Sequence, residues 1–238
     1  MNKKKITALL IAGVLTVGIV GGTFAWFTSS DSVTNKFSTG GVTDPETPGN
    51  PDAGIEIVEE FPGDKDGNGK YDNPVLPGTV MTKEVKVKST SNYDQYLRAK
   101  VSKIWYYNGE VVTHYKASKG EDGKETVEYK HFEEAAAEGW VALNDEYIIL
   151  EFATPGVAKS DSWAVKAADN FYYYNQLLGA SPAETSNLLT KVTFSSEASN
   201  YYKNLTFDVK IDAEAVQATK AAIGDWDDIP SYVEELGK

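Results

Sequence analysis

The chain has 238 residues, a formal charge of −12 and no cysteine, which excludes disulfide stapling and thiol chemistry. The carboxylate excess repels phosphate backbones and anionic lipid, so nucleic acid is excluded as a partner and divalent cations are favoured. Hydrophobic residues make up 41% of the chain, enough at this length to bury a core without staples.

Lys3, Lys4 and Lys5 precede an apolar, glycine-containing run from Ile6 to Gly22, followed by Thr23-Phe24-Ala25-Trp26-Phe27. A short cationic start, an apolar core and a small residue before a polar stretch are the parts of an export signal. The competing reading is a retained membrane anchor, because about twenty residues also suffice to span a bilayer as a helix. Gly13, Gly18, Gly21 and Gly22, the small Ala25 and the lack of a cationic cluster after Phe27 favour cleavage in the region of Ala25, Trp26 and Phe27. Loss of residues 1–25, which carry three lysines and no acid, takes the formal charge to −15. Export without disulfides fits a Gram-positive envelope, with the product secreted or held at the cell surface.

Residues 28 to 39 are rich in Ser and Thr, with spaced apolar positions Val33 and Phe37, the pattern of an edge strand or an extended arm. Gly40 to Gly54 contains Pro45, Pro48 and Pro51 and reads as a flexible linker. Ile55 to Phe61 alternates as a strand and Pro62 ends it. After Pro77-Gly78 the period-two pattern recurs over Thr82–Thr90 and Tyr96–Tyr107. It returns over Trp140–Leu143, Tyr147–Phe152, Phe171–Leu178, Leu188–Phe194 and Leu205–Ile211. This inventory predicts an all-β fold, a jelly-roll-like antiparallel β-sandwich with short helical insertions. Helices are predicted at Phe132–Glu138, ended by Gly139, and at Ala213–Ile223, ended by Gly224. Lys116 to Lys130 reads as a charged hairpin. The expected organisation is therefore a signal peptide over 1–25, an arm and linker over 26–54, a sandwich over 55–225 and a tail over 226–238.

Between the first two sandwich strands lies Asp64-Lys-Asp66-Gly-Asn68-Gly69-Lys70-Tyr-Asp72. Oxygen ligands on alternate residues with glycine at the tight turn suit calcium, since they wrap one hard ion at short radius. Asp64, Asp66, Asn68, Lys70 and Asp72 are the candidate positions. The twelfth position is Val75 in place of Glu, and the same residues also suit a plain Asp/Gly turn.

For hydrolytic chemistry the chain offers only His114 and His131, with no His-Glu-x-x-His helix and no Gly-x-Ser-x-Gly elbow. Clusters Trp105-Tyr106-Tyr107, Tyr172-Tyr173-Tyr174 and Tyr201-Tyr202 are candidates for a glycan-stacking platform. Consecutive strand residues point to opposite faces, so only alternate members can share such a surface.

Three motifs occur in order: Gly21-Gly22-Thr23-Phe24-Ala25-Trp26-Phe27 with Val33-Thr34-Asn35-Lys36-Phe37-Ser38-Thr39-Gly40, then Leu76-Pro77-Gly78 with Thr82-Lys83, then Phe207 to Ala218. Together they resemble the TasA/camelysin family of Gram-positive secreted proteins, closely over the first forty residues and loosely over the strand framework. The resemblance implies a jelly roll, processing by a SipW-type signal peptidase, and a non-enzymatic role in biofilm-matrix or surface fibres. It also implies partners of the same chain or other matrix proteins, with a donated N-terminal strand carried here by Phe27 to Val42, including Phe27, Val33 and Phe37. On physical grounds such an arm has two destinations, a neighbour's sheet edge or its own sandwich. The family's camelysin branch is classed with metallopeptidases, which makes a secreted peptidase the alternative function, beside a glycan- or host-binding module.

Overall fold

The computed structural model describes residues 28–38, 54–65, 70–71, 73–121, 124–224, 226 and 229–237, the first segment by its backbone alone. Twelve strands are found among the described residues: β1 (Thr28–Ser38), β2 (Ile55–Glu60), β3 (Val80–Ser89), β4 (Gln95–Tyr107), β5 (Glu110–Val112), β6 (His114–Lys119), β7 (Glu125–Lys130), β8 (Val141–Ala142), β9 (Ile148–Phe152), β10 (Tyr172–Tyr173), β11 (Leu189–Phe194) and β12 (Thr206–Gln217). One sheet runs β1-β12-β4-β10, with β5 also on β4, and a second runs β2-β3-β11-β9. A small third sheet, β7-β6-β8, holds the charged hairpin. From β3 onward, the short β5 beside β4 apart, the strands of the two main sheets alternate, with β3, β9 and β11 in the second and β4, β10 and β12 in the first. That winding is the jelly roll the spacing predicts.

Period two sets the faces. On β12, Phe207, Val209, Ile211, Ala213 and Ala215 are buried, while Lys210, Asp212 and Glu214 are less so. On β3 the buried set is Met81, Lys83, Val85, Val87 and Ser89. The two inner faces share one core, as an aligned sandwich requires. Near one end Trp105 meets Tyr202 at 5.1 Å, Phe207 at 5.5 Å and Phe194 at 6.2 Å between ring centroids, all edge-on, the arrangement ring quadrupoles favour. Leu76-Pro77-Gly78 forms the turn into β3, with Gly78 at φ +89 and its amide donating to the Phe194 carbonyl at 2.7 Å.

Two predicted helices fold otherwise. Ala213–Gln217 continues β12, because the ladder to β4 runs without a break from Thr206↔Tyr106 to Gln217↔Gln95. Ala213 and Ala215 are wholly buried, so small side chains fill period-two core positions and tertiary pairing overrides alanine's helix propensity. Only Lys220–Ile223 is helical (α1), capped by the Thr219 hydroxyl, which accepts from the Ala222 amide at 3.2 Å. Phe132–Glu138 forms no helix. So short a segment does not recover the cost of nucleation, and Phe132 is instead set edge-on against His114 at 5.1 Å and Trp140 at 5.4 Å.

The C-terminal residues pack on the sandwich. Trp226, Ile223 and Val233 of the following short helix α2 (Ser231–Glu234) join Tyr96, Tyr173 and Val216 in a second apolar cluster. Arg98 ties it to the sheet, with its guanidinium 4.0 Å from the Phe171 ring centre, 4.3 Å from that of Trp226, and 2.7 Å from Glu214. The stacking keeps the charge satisfied in a partly dry site.

Candidate functional site

The longest uninterrupted feature that involves the N-terminal arm is the β1–β12 ladder. It is antiparallel and in register from Thr28↔Val216 to Ser38↔Thr206. β12 is central and β1 is the edge of its sheet. Directly paired residues share a face, so opposite the buried Phe207, Val209, Ile211, Ala213 and Ala215 stand the positions Phe37, Asn35, Val33, Asp31 and Ser29. Two of the five are apolar. Val33 and Phe37 thus fall at interior-facing register positions, whereas Phe27 lies outside the described residues. On the other face Lys36 is registered against Asp208, a buried carboxylate. Burial and the nearby Asp208 together push the Tyr106 phenol upward, because both disfavour phenolate.

The candidate calcium turn is described only in part. Asp64 closes a turn by donating its amide to the Phe61 carbonyl at 2.9 Å, and Lys70 makes an isolated bridge. Asp66, Asn68 and Asp72 lie outside the described residues. At the base Phe61 and Tyr71 meet at 5.9 Å, and Val75, the twelfth position, is 1% exposed in the core. That position therefore supplies no side-chain ligand.

His114 opens β6 with Nδ1 2.8 Å from the Thr113 hydroxyl. His131 is exposed just after β7. Among the described residues no three His, Asp or Glu side chains gather as a metal would need. The aromatic clusters are consumed by packing: Trp105, Tyr173, Tyr174 and Tyr202 are buried, and Tyr172 stacks on Phe152 at 4.6 Å.

One buried ion pair escaped the sequence pattern. Lys83 is wholly buried on the inner face of β3, 2.7 Å from Glu59 on β2 and 5.3 Å from the Phe61 ring centre. Desolvation lowers its pKa, opposed by the Glu59 charge and hydrogen bond. The signal was parity, since Lys83 shares the odd positions of Val85 and Val87 while Glu84, Lys86 and Lys88 do not.

Burial also pushes the phenols of Tyr129, Tyr173 and Tyr232 up to about 12, against about 10 in an unfolded chain. A folded pKa above the unfolded one gives stability that is complete below pH 10 and lost as pH rises from there toward 12. For the wholly buried Tyr173 the difference is worth roughly 2–3 kcal/mol. The partly exposed Tyr129 and Tyr232 contribute less. The urea midpoint is therefore expected to fall steeply above about pH 10, and less so in Tyr173→Phe; equal slopes in the two proteins would contradict this assignment.

Fold and edge strand define an antiparallel jelly-roll protein whose first sheet is completed by the residues that follow its N-terminal segment. The chain belongs to the camelysin family: a family model described as camelysin metallo-endopeptidase matches residues 1–221. No curated protein and no solved structure matches it. Among the described residues no helix is long and apolar enough to cross a membrane, and the predicted export signal, with Ala25, Trp26 and Phe27, lies outside them.

Proposed function

We propose that the protein is exported and acts, without catalysis, as a structural subunit of a bacterial extracellular matrix or cell surface, joined to its neighbours by exchange of its N-terminal strand. The observation that carries this is the β1–β12 ladder, an edge strand paired along its whole length and followed by a proline-rich segment. If β1 withdraws, the same segment of another subunit restores identical backbone hydrogen bonds. Head-to-tail donation is heterologous and extends into a filament unless it closes into a ring. Processing at Ala25 to Phe27 by a SipW-type peptidase would free the arm, and calcium at the turn holding Asp64, Asp66, Asn68, Lys70 and Asp72 would stiffen the strand that follows.

The test is negative-stain microscopy of the mature protein with and without residues 27–42, and with and without calcium. Filaments are expected only when the arm is present. Filaments that survive the deletion overturn strand exchange, and a full-length mature chain that stays monomeric under both conditions overturns the fibre role.

The family description favours a second reading, a secreted metallo-endopeptidase. Zinc analysis with casein digestion separates the two: chelator-sensitive proteolysis by pure protein would establish the enzyme and remove the structural reading.

A further inference from the structure

A chain of fourteen tyrosines and no cysteine has phenols as its main sites for oxidative covalent bonding. Tyrosines gather where the β6–β7 hairpin meets the turn before β12. Tyr115 of β6 and Tyr201 of the 3-10 turn Asn200–Tyr202 are half-buried, with ring centroids 5.0 Å apart and planes inclined by only 31°. The Tyr201 hydroxyl donates to Glu125 Oε1 at 3.0 Å. The Tyr201 backbone is pinned as well, its carbonyl accepting from the Tyr129 hydroxyl at 2.7 Å. Tyr115 is paired across the hairpin with Tyr129, so one tyrosine neighbours both residues. From Tyr115 the aromatic contacts run on to Tyr202 at 6.4 Å and from there to Trp105 at 5.1 Å.

We propose that Tyr115 and Tyr201 form an oxidative cross-linking site, at which a peroxide, acting through a one-electron peroxidase, joins the two rings by a carbon–carbon bond ortho to their hydroxyls. Each phenol loses one electron and its hydroxyl proton, the two radicals couple, and the hydrogens on the coupled carbons move to the oxygens to restore both rings. The protein loses two hydrogens in total and hydrogen peroxide is reduced to two waters. Glu125 receives the Tyr201 proton, since a carboxylate is a competent base at hydrogen-bond distance, and the half-buried Tyr115 releases its proton to water. The neighbouring Tyr107–Tyr129 pair is closer, at 4.5 Å, yet the Tyr129 hydroxyl donates to a backbone carbonyl, which cannot take up a proton. The bond would staple the hairpin to the turn that enters β12, closing a long loop much as a disulfide does. It also resists reductants, because no sulfur is involved. The site stands apart from strand exchange, and neither depends on the other.

The test treats dilute, folded, full-length mature protein with a haem peroxidase and hydrogen peroxide, reads dityrosine fluorescence, and maps the linked peptides by mass. One dominant intramolecular product linking Tyr115 to Tyr201, two hydrogens lighter, is expected. Tyr115→Phe and Tyr201→Phe, each of which keeps its ring and so its packing, should abolish that product, and Glu125→Gln should form it roughly tenfold more slowly. The urea-unfolded wild-type chain, which retains every tyrosine, should scatter its cross-links. The proposal is overturned if folded and unfolded chains give the same map, if Tyr201→Phe leaves the yield unchanged, or if only links between chains appear.

Discussion

Deleting residues 27–42 from the mature chain is expected to lower the stability of the monomer by on the order of 4 kcal/mol. The reason lies in β12. Its Phe207, Val209, Ile211, Ala213 and Ala215 are wholly buried, and β1 covers the one side of that strand that β4 does not. Without β1 the backbone groups of β12 that face the edge lose their partners, and water gains access to one flank of the core. A synthetic peptide of residues 27–42 should reverse the loss by mass action, by about 2.7 kcal/mol at a hundred times its dissociation constant. The register makes the claim sharper. Peptides with Val33 and Phe37 both changed to Asp should fail to rescue, because those positions stand opposite Ile211 and Phe207, whereas changes at Ser30 and Ser32, registered against Glu214 and Asp212, should rescue normally. Thermal unfolding of the deleted protein across a peptide titration reads all of this. A midpoint that does not move with peptide would refute the exchangeable slot.

The readiness of that slot to exchange follows from an imbalance that sequence alone half reveals. The Ser/Thr-rich segment with two apolar residues four apart was legible as an edge strand or arm, since period two puts Val33 and Phe37 on one face. Its partner was not, because pairing between positions 28–38 and 206–216 leaves no local trace in either stretch. Knowing the partner shows that the polar Asp31 and Asn35 are registered against the buried Ala213 and Val209, polar positions of the kind that keep an edge strand from pairing too firmly. The main strands were readable wherever one face stays polar, as in β3 and β4. They were misread where composition spoke for another state: the alanines at 213 and 215 favour a helix locally but fill inward-facing core positions of a strand laddered to β4. Phe171–Leu178 reads as one strand yet pairs continuously only at Tyr172–Tyr173, continuing as isolated bridges at Tyr174 and Leu178. The packing of Trp226 and Val233 onto Tyr173 and Tyr96 was equally out of reach, since an amphipathic turn of four residues carries no periodic signal.

Replacing Glu59 by Gln is expected to destabilise the protein by about 3–5 kcal/mol at neutral pH, although only one oxygen becomes a nitrogen. Lys83 is the cause. Its ammonium is wholly buried and Glu59 lies 2.7 Å away, so removing the carboxylate leaves a desolvated cation without its counter-charge. The pH dependence has a definite sign. Burial already lowers the Lys83 pKa below its usual 10.5, and loss of Glu59 lowers it further. Between the folded and unfolded values the unfolded chain binds more protons, so stability rises with pH across that window. The deficit of Glu59→Gln should therefore shrink as pH rises from neutrality toward the ordinary lysine range, before tyrosine ionisation begins to oppose it. The double variant Lys83→Met with Glu59→Gln removes the buried charge altogether and should recover most of the loss, or exceed the wild type by a kcal/mol or so, as apolar replacements of buried pairs often do. Recovery in stability need not mean recovery in uniqueness. Lys83 meets Glu59 only on the diagonal that follows the Glu59↔Val85 pairing, and a one-residue slip of β2 would turn that carboxylate to the opposite face. The pair thus penalises the wrong register of the strand that begins the second sheet, and the double variant should show broadened amide resonances in β2 even where its urea midpoint is high. Single sharp resonances throughout β2 in that variant would leave the pair with no role in register.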